Sequence, residues 1–383
     1  MDSTLVISSP LEGARENHKD NGDAFSHVPF LKKKETSTLT NFIWPKEALV
    51  KAHEELREPL VDLDGFLKGD VVATQQAATD IKEACLNHGF FQVRGHGVDL
   101  RLIQSAYDHM DSFFKLPAST KLRAKIRPPE NMWGYSGAHA NRFSSKLPWK
   151  ETLTFGFHES SSGPVVADFF KSSLGMDFEQ AGAVYQKYCE AMKEVALAIM
   201  ELLAISLGVD RLHYRRFFQD GYAIMRCNYY PPCEEPGLVF GTGPHSDPTS
   251  ITILHQDQVG GLDVFSGNKW KTVRPRHDAL VINLGDTFKV LSNGAYKSCL
   301  HRAMVNKETG RKTMTFFFSP REDKVLTPPE DLVRRDGTRT YPDFTWSDFR
   351  GFTQTHQRAD SDTLPNFVKW FQDPSRPPAD LYD

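Results

Sequence analysis

Tyr222-Ala223-Ile224-Met225-Arg226-Cys227-Asn228-Tyr229-Tyr230, followed by Pro231-Pro232, is where the pattern of the chain changes from helical to alternating. Aromatic and β-branched residues suit a pleated surface, and the prolines end the run. Further β-rich runs follow at Ile251 to Leu254, Leu262 to Phe265, Leu280 to Leu284, Cys299 to Asn306 and Thr313 to Ser319, separated by Gly, Pro and Asn clusters. Many short strands at this spacing predict a β-sandwich or barrel over residues 216–325.

Upstream of this stretch the signals are mostly helical. Val184, Tyr188, Met192, Val195, Ile199 and Leu203 recur at spacings of three and four, predicting a helix from about Phe178 to Leu207 that Gly208 stops. Shorter helices are expected from Val71 to His88, with Gly89 as its cap, and from Asp99 to Lys115. Short strands are expected at Leu60 to Leu63 and Phe90 to Val93. Residues 57–215 thus read as a helical N-terminal region. Residues 326–383 read as a C-terminal extension with a helix over Trp346 to His356. Residues 1–56 are polar, including Lys32-Lys33-Lys34, and read as a mostly flexible tail anchored by Phe42-Ile43-Trp44-Pro45. The fold class is α+β with a mainly β core.

Composition narrows the function. The 383 residues are 39% hydrophobic and 25% charged, with a net charge of -3, which leaves no basic footprint for nucleic acid. No apolar run approaches the ~18–20 residues of a membrane helix. Met1 to Leu5 lack the features of a secretory signal. Five scattered cysteines, none spaced Cys-x-x-Cys, read as reduced thiols of a cytoplasmic enzyme, expected to be a monomer.

His245-Ser246-Asp247 is the first chemical signal. On an extended strand, residues i and i+2 share a face, so an imidazole and a carboxylate converge. His301, on the run Cys299 to Ala303, would complete two neutral nitrogens and one anionic oxygen. Such a facial set leaves positions open on Fe(II). Alone, His-x-Asp is a weak signal in a chain with 14 histidines. Arg311-Lys312-Thr313 adds weight, because Arg311 and Thr313 share a face just before an apolar strand. A guanidinium grips a carboxylate through two parallel hydrogen bonds, and a hydroxyl can add a third. Asn228 and Tyr230 share a face of the earlier strand. A 2-oxo dicarboxylate fits between an iron and such an anchor.

These motifs resemble the plant 2-oxoglutarate/Fe(II) dioxygenase family. Asn228 to Cys233 looks like its Asn-x-Tyr-Pro-x-Cys signature, and His245, Asp247, His301, Arg311 and Thr313 follow in the family's order. Within the family the chain is most similar to gibberellin 20-oxidases, on Leu147-Pro148-Trp149-Lys150-Glu151-Thr152, Gly241 to His245, His255 to Leu262, Leu291 to Gly294 and Tyr341 to Trp346. The resemblance implies a double-stranded β-helix, or jelly roll. It implies Fe(II) held by His245, Asp247 and His301, with 2-oxoglutarate bound by Arg311, Thr313, Tyr230 and Asn228. O2 would be consumed, and ascorbate would serve as supporting reductant. The substrate would be a diterpenoid carboxylic acid oxidised at carbon 20. Trp149, Lys150, Arg142 and Lys146 are candidates to meet it. Other enzymes of the family, a gibberellin 3- or 2-oxidase or a flavonoid oxygenase, are the alternatives, and a non-catalytic jelly-roll binding protein is a more distant one. Thr313 stands where the family usually has Ser, and Ser246 where close relatives carry Cys. Lys289 also departs from the pattern, a cation expected either to alter a pocket wall or to reach solvent, and the segment 131–136 is divergent too.

Overall fold

The computed structural model describes residues 40–126, 133–137, 146–355 and 362–375. Two sheets face each other. The larger is built from β2 (Leu60–Asp62), β3 (Phe90–Arg94), β4 (Gly134–Ser136), β5 (Glu151–Phe157), β6 (Tyr222–Tyr230), β8 (Ile251–Gln256), β11 (Leu280–Leu284) and β13 (Arg311–Ser319), in the order β2-β3-β11-β8-β13-β6-β5-β4. The smaller has the order β1-β10-β9-β12-β7, from β1 (Glu54–Glu55), β7 (Thr242–His245), β9 (Leu262–Ser266), β10 (Lys269–Thr272) and β12 (His301–Ala303).

Strand β6 shows why the larger sheet is two-faced. Along β6, Ala223, Met225 and Cys227 are fully buried in the main core. Ile224, Arg226, Asn228 and Tyr230 line a cavity on the other side. Helix α4 (Glu179–Leu207) belongs to that core, with Ile199, Met200, Leu202 and Leu203 fully buried. Each such side chain contributes about 1.5–3 kcal/mol on leaving water. Gly208 ends the helix at φ 72°, where a residue without Cβ costs least.

The shorter helices start where polar side chains satisfy their first amides. Asp70 accepts from the Val72 and Ala73 N–H groups ahead of α1 (Val71–Asn87), and Asp99 from Arg101 N–H ahead of α2 (Leu100–Phe114). Further helices include α3 (Val165–Leu174), α5 (His213–Phe218), α6 (Asp286–Leu291), α7 (Glu330–Asp336), α8 (Trp346–Thr355) and α9 (Thr363–Phe371). Among the described residues no helix is long and apolar enough to cross a membrane.

Three expectations need correction. The region 57–215 holds more strand than the two short runs expected at Leu60 to Leu63 and Phe90 to Val93, because β4 and β5 also join the sheet of β6. Glu151 to Phe157 pairs with β6 along seven residues, so its alternating Leu153 and Phe155 reach the core. The run from Cys299 to Asn306 forms a strand only over His301–Ala303. Within the expected tail 1–56, ordered contacts extend past the anchoring patch at Phe42 to Pro45: Leu56 is buried as well as Phe42, and β1 pairs with β10.

Candidate active site

The two sheets bring the three candidate metal ligands together. β12 runs antiparallel to β7, with His301 directly opposite His245. Their rings lie 4.2 Å apart between centroids. Asp247 follows the end of β7 rather than lying within it, so the convergence does not come from strand alternation as expected. Instead its Oδ2 accepts from Thr252 Oγ1 at 2.6 Å and from Asn283 Nδ2 at 2.9 Å. Thr252 and Asn283 are opposite each other on β8 and β11, so the larger sheet holds the carboxylate. Asp247 Oδ1 lies 3.6 Å from His245 Nε2, and Oδ2 lies 3.9 Å from His301 Nε2.

The surroundings fix the ligand state. His245 Nδ1 is 2.8 Å from the Gly243 carbonyl and His301 Nδ1 is 3.1 Å from that of Cys299. A proton on each Nδ1 leaves Nε2 as the donor to a metal. Burial, helped by the nearby His301, pushes His245 down to about 3. Burial works to raise the Asp247 carboxyl, but His301, His245 and the Thr252 and Asn283 donors outweigh it and hold it low. Neutral imidazole beside an anionic carboxylate is the donor set that suits Fe(II) with open positions.

Arg311 begins β13 opposite Tyr230 and is 1% exposed. Its Nη2 donates to Gln256 Oε1 at 2.9 Å, and its guanidinium lies 5.1 Å from the Tyr230 ring centroid. Arg311 Nε, Gln256 Nε2 and Asn228 Oδ1 are buried without hydrogen-bond partners among the described residues. Buried polar atoms left without partners fit a site whose polar ligand completes them. Asn228 Nδ2 donates to Thr313 Oγ1 at 3.0 Å and to Thr315 Oγ1 at 3.2 Å. Thr313 therefore holds Asn228. Arg311, Asn228 and Tyr230 line the cavity, and Thr313 does not.

The cavity is about 1600 Å³ and runs from the ligand triad past Ile224, Phe317 and Trp133 to Trp346 on α8. Of the residues expected to meet a substrate, Lys150 lines it. Lys150 is buried, donates from Nζ to Thr242 Oγ1 at 3.0 Å and lies 5.9 Å from the Tyr230 ring centroid. Burial, with Arg226 and Arg311 adding to it against Asp247, lowers its amine to about 7. Trp149 is not among the lining residues. Its Nε1 donates to the Pro231 carbonyl at 3.1 Å and its ring meets Phe42 edge-on, so it pins a loop. Lys146 is turned to the Thr40 carbonyl at 3.2 Å. Arg142 lies outside the described residues, as do positions 131 and 132. Lys289, on α6, does not line the cavity, whereas Trp133 does.

Sequence reading missed Arg226. It lines the cavity, donates from Nε to Thr154 Oγ1 at 3.2 Å and lies over the Phe317 ring at 5.2 Å. Its signal was present in the alternation that singled out Asn228 and Tyr230 on the same strand.

Comparison with known proteins agrees with this geometry. Residues 221–320 match the 2OG-Fe(II) oxygenase superfamily, and residues 59–172 match the N-terminal region described as non-haem dioxygenase in morphine synthesis. The chain belongs to the 2OG-Fe(II) oxygenase superfamily. This oxygenase is 53% identical over 335 residues to gibberellin 20 oxidase 2 of Oryza sativa subsp. indica, covering 87% of this chain and 85% of that protein. It is 48% identical to gibberellin 20 oxidase 2 of Arabidopsis thaliana, covering 95% and 97%. The crystal structure of JOX2 in complex with 2OG, Fe and JA superposes with a TM-score of 0.73 at 28% identity, over 90% of this chain and 96% of that one. A rice dioxygenase for auxin oxidation, 24% identical, shares the fold at a TM-score of 0.67 over 81% and 99%. As a 2OG-Fe(II) oxygenase, the protein is an oxidoreductase that uses Fe(II), 2-oxoglutarate and O2.

Proposed function

We propose that this oxygenase is a gibberellin 20-oxidase. The observation that carries the reading is about 50% identity, over most of the chain, to gibberellin 20 oxidases of rice, Arabidopsis and wheat. On this reading carbon 20 of a diterpenoid acid passes from methyl to alcohol to aldehyde, and is then lost to leave a lactone. Each oxidation consumes one O2, with one oxygen atom going to the substrate step and the other to succinate as 2-oxoglutarate loses CO2.

Bound iron, with 2-oxoglutarate, supplies the oxidising chemistry, and the protein binds, orients and shields. His245, Asp247 and His301 hold the metal. Arg311 and Tyr230 receive the distal carboxylate of 2-oxoglutarate, with Asn228 nearby, itself fixed by Thr313 and Thr315. Lys150 offers a buried cation to a substrate carboxylate. Trp133, Ile224, Phe317 and Trp346 provide apolar walls for the fused rings and exclude water from the reacting carbon. The protein is taken to act as a cytoplasmic monomer.

Full-length protein incubated with Fe(II), 2-oxoglutarate, ascorbate and labelled gibberellin precursors tests this. Products oxidised at carbon 20 are expected. Hydroxylation at another carbon, with carbon 20 untouched, would sink the assignment while leaving the oxygenase intact.

A further inference from the structure

We propose that the segment 42–50 is a brace that sets the positions of the two metal-binding histidines, with Trp44 as its positioning residue. The proposal rests on reading His245, Asp247 and His301 as metal ligands, and is independent of the substrate.

β7 is four residues long and lies at the edge of its sheet, with β12 as its single neighbour there. Its register with β12 shifts between His301 and Ala303. A short, irregular edge strand has few ladder bonds to hold a ligand still. The brace packs on it. Trp44 N–H donates to the Leu238 carbonyl at 3.0 Å, and its ring meets Phe240 edge-on at 5.0 Å. The same ring lies so close to Gly243 that a Cβ there would come within 2.5 Å of two ring carbons. Gly243 supplies the carbonyl that orients His245 through Nδ1. The indole therefore rests on the residue that aims the first histidine.

A second route reaches the other histidine. Arg302 follows His301 on β12 and is fully buried. Its Nη2 donates to the Val50 carbonyl at 2.6 Å and lies 3.0 Å from Asp263 Oδ2. Its guanidinium stacks over Trp270 at 4.2 Å and Phe240 at 5.1 Å. Phe240 thus touches both Trp44 and Arg302, and one segment steadies both ligand strands. Groups that orient metal ligands typically change metal affinity about 10–100-fold when lost. Packing alone would lower stability and leave the affinity of folded protein unchanged.

Mn(II), followed by its paramagnetic resonance signal in the presence of 2-oxoglutarate, is the probe. Thermal unfolding of metal-free protein runs in parallel. Trp44→Ala should weaken Mn(II) binding by at least about tenfold, and Trp44→Phe should restore most of it. Gly243→Ala, which adds one methyl against the indole, should weaken binding similarly and carries the test if Trp44→Ala does not fold. Wild-type affinity in both Trp44→Ala and Gly243→Ala, whatever the melting temperature, overturns the brace. Failure of the wild-type protein to bind Mn(II) overturns the ligand assignment, and the brace with it.

Discussion

Replacing Arg311 by Met should leave the ligand-free protein close to wild-type stability and make it nearly blind to 2-oxoglutarate. Arg311 is 1% exposed, makes one hydrogen bond to Gln256, and its Nε has no partner among the described residues. Removing it relieves a desolvated charge but leaves Gln256 Oε1 unpaired, a cost of about 1–3 kcal/mol. Removing buried charge can return about as much, so the two nearly cancel. Binding is different. Hydrogen bonds from a charged donor are worth about 1.5–3 kcal/mol each, and a two-pronged grip holds two, so about 3–6 kcal/mol is at stake. At 1.36 kcal/mol per decade this is about two to four orders of magnitude in affinity. Thermal unfolding with Mn(II), with and without 2-oxoglutarate, reads it. At 100 times its dissociation constant the co-substrate stabilises wild type by about 2.7 kcal/mol. A variant weakened a hundredfold gains only about 0.4 kcal/mol at the same concentration. An Arg311→Met protein that responds as strongly as wild type would refute the anchor.

Three other outcomes are expected. Lys150→Met should raise KM for a carboxylate-bearing substrate and flatten its pH profile. The amine, lowered to about 7 by burial, is a cation below that pH and loses its charge above it, so wild-type kcat/KM should decline as pH rises past 7. The same decline in the variant would assign that limb to another group. Thr252→Val removes the 2.6 Å bond to Asp247 Oδ2 and should weaken Mn(II) binding about 10–100-fold, with circular dichroism unchanged. Glu151→Leu breaks the buried 2.6 Å pair with Lys121 and should cost about 3–5 kcal/mol in urea unfolding. The double change Lys121→Met/Glu151→Leu should recover much of that loss, and no recovery would argue that Tyr135, which also donates to Glu151, dominates.

Much of this architecture could be read in advance because its signals are local. The apolar stripe and Gly208 placed α4 to within a residue of its start, and alternation placed β6. The ligand types at 245, 247 and 301 were legible, but what aims them was not. Thr252 and Asn283 meet Asp247 only through the register of β8 with β11, a long-range pairing that no window of sequence contains. β5 escaped notice because Glu151 and Thr152 belong at once to a recognisable motif and to an alternating strand that runs on to Phe157. Trp149 and Lys150 are neighbours, yet the cavity takes the lysine, while the indole faces Phe42 and Pro231. Which of two adjacent residues turns inward depends on the strand it leads into.

The two-sided build of β6 bears on how such an enzyme changes over time. Ala223, Met225 and Cys227 carry the packing, while Ile224 and Arg226 carry the contour of the cavity. Selection can therefore rewrite alternate positions of one strand without weakening the hydrophobic core. Neighbouring strands offer the same freedom at Thr154, Gly156 and Phe317, opposite Arg226 and Ile224. A lineage can explore new molecules to oxidise by drifting along this one surface, while iron and co-substrate remain where they are.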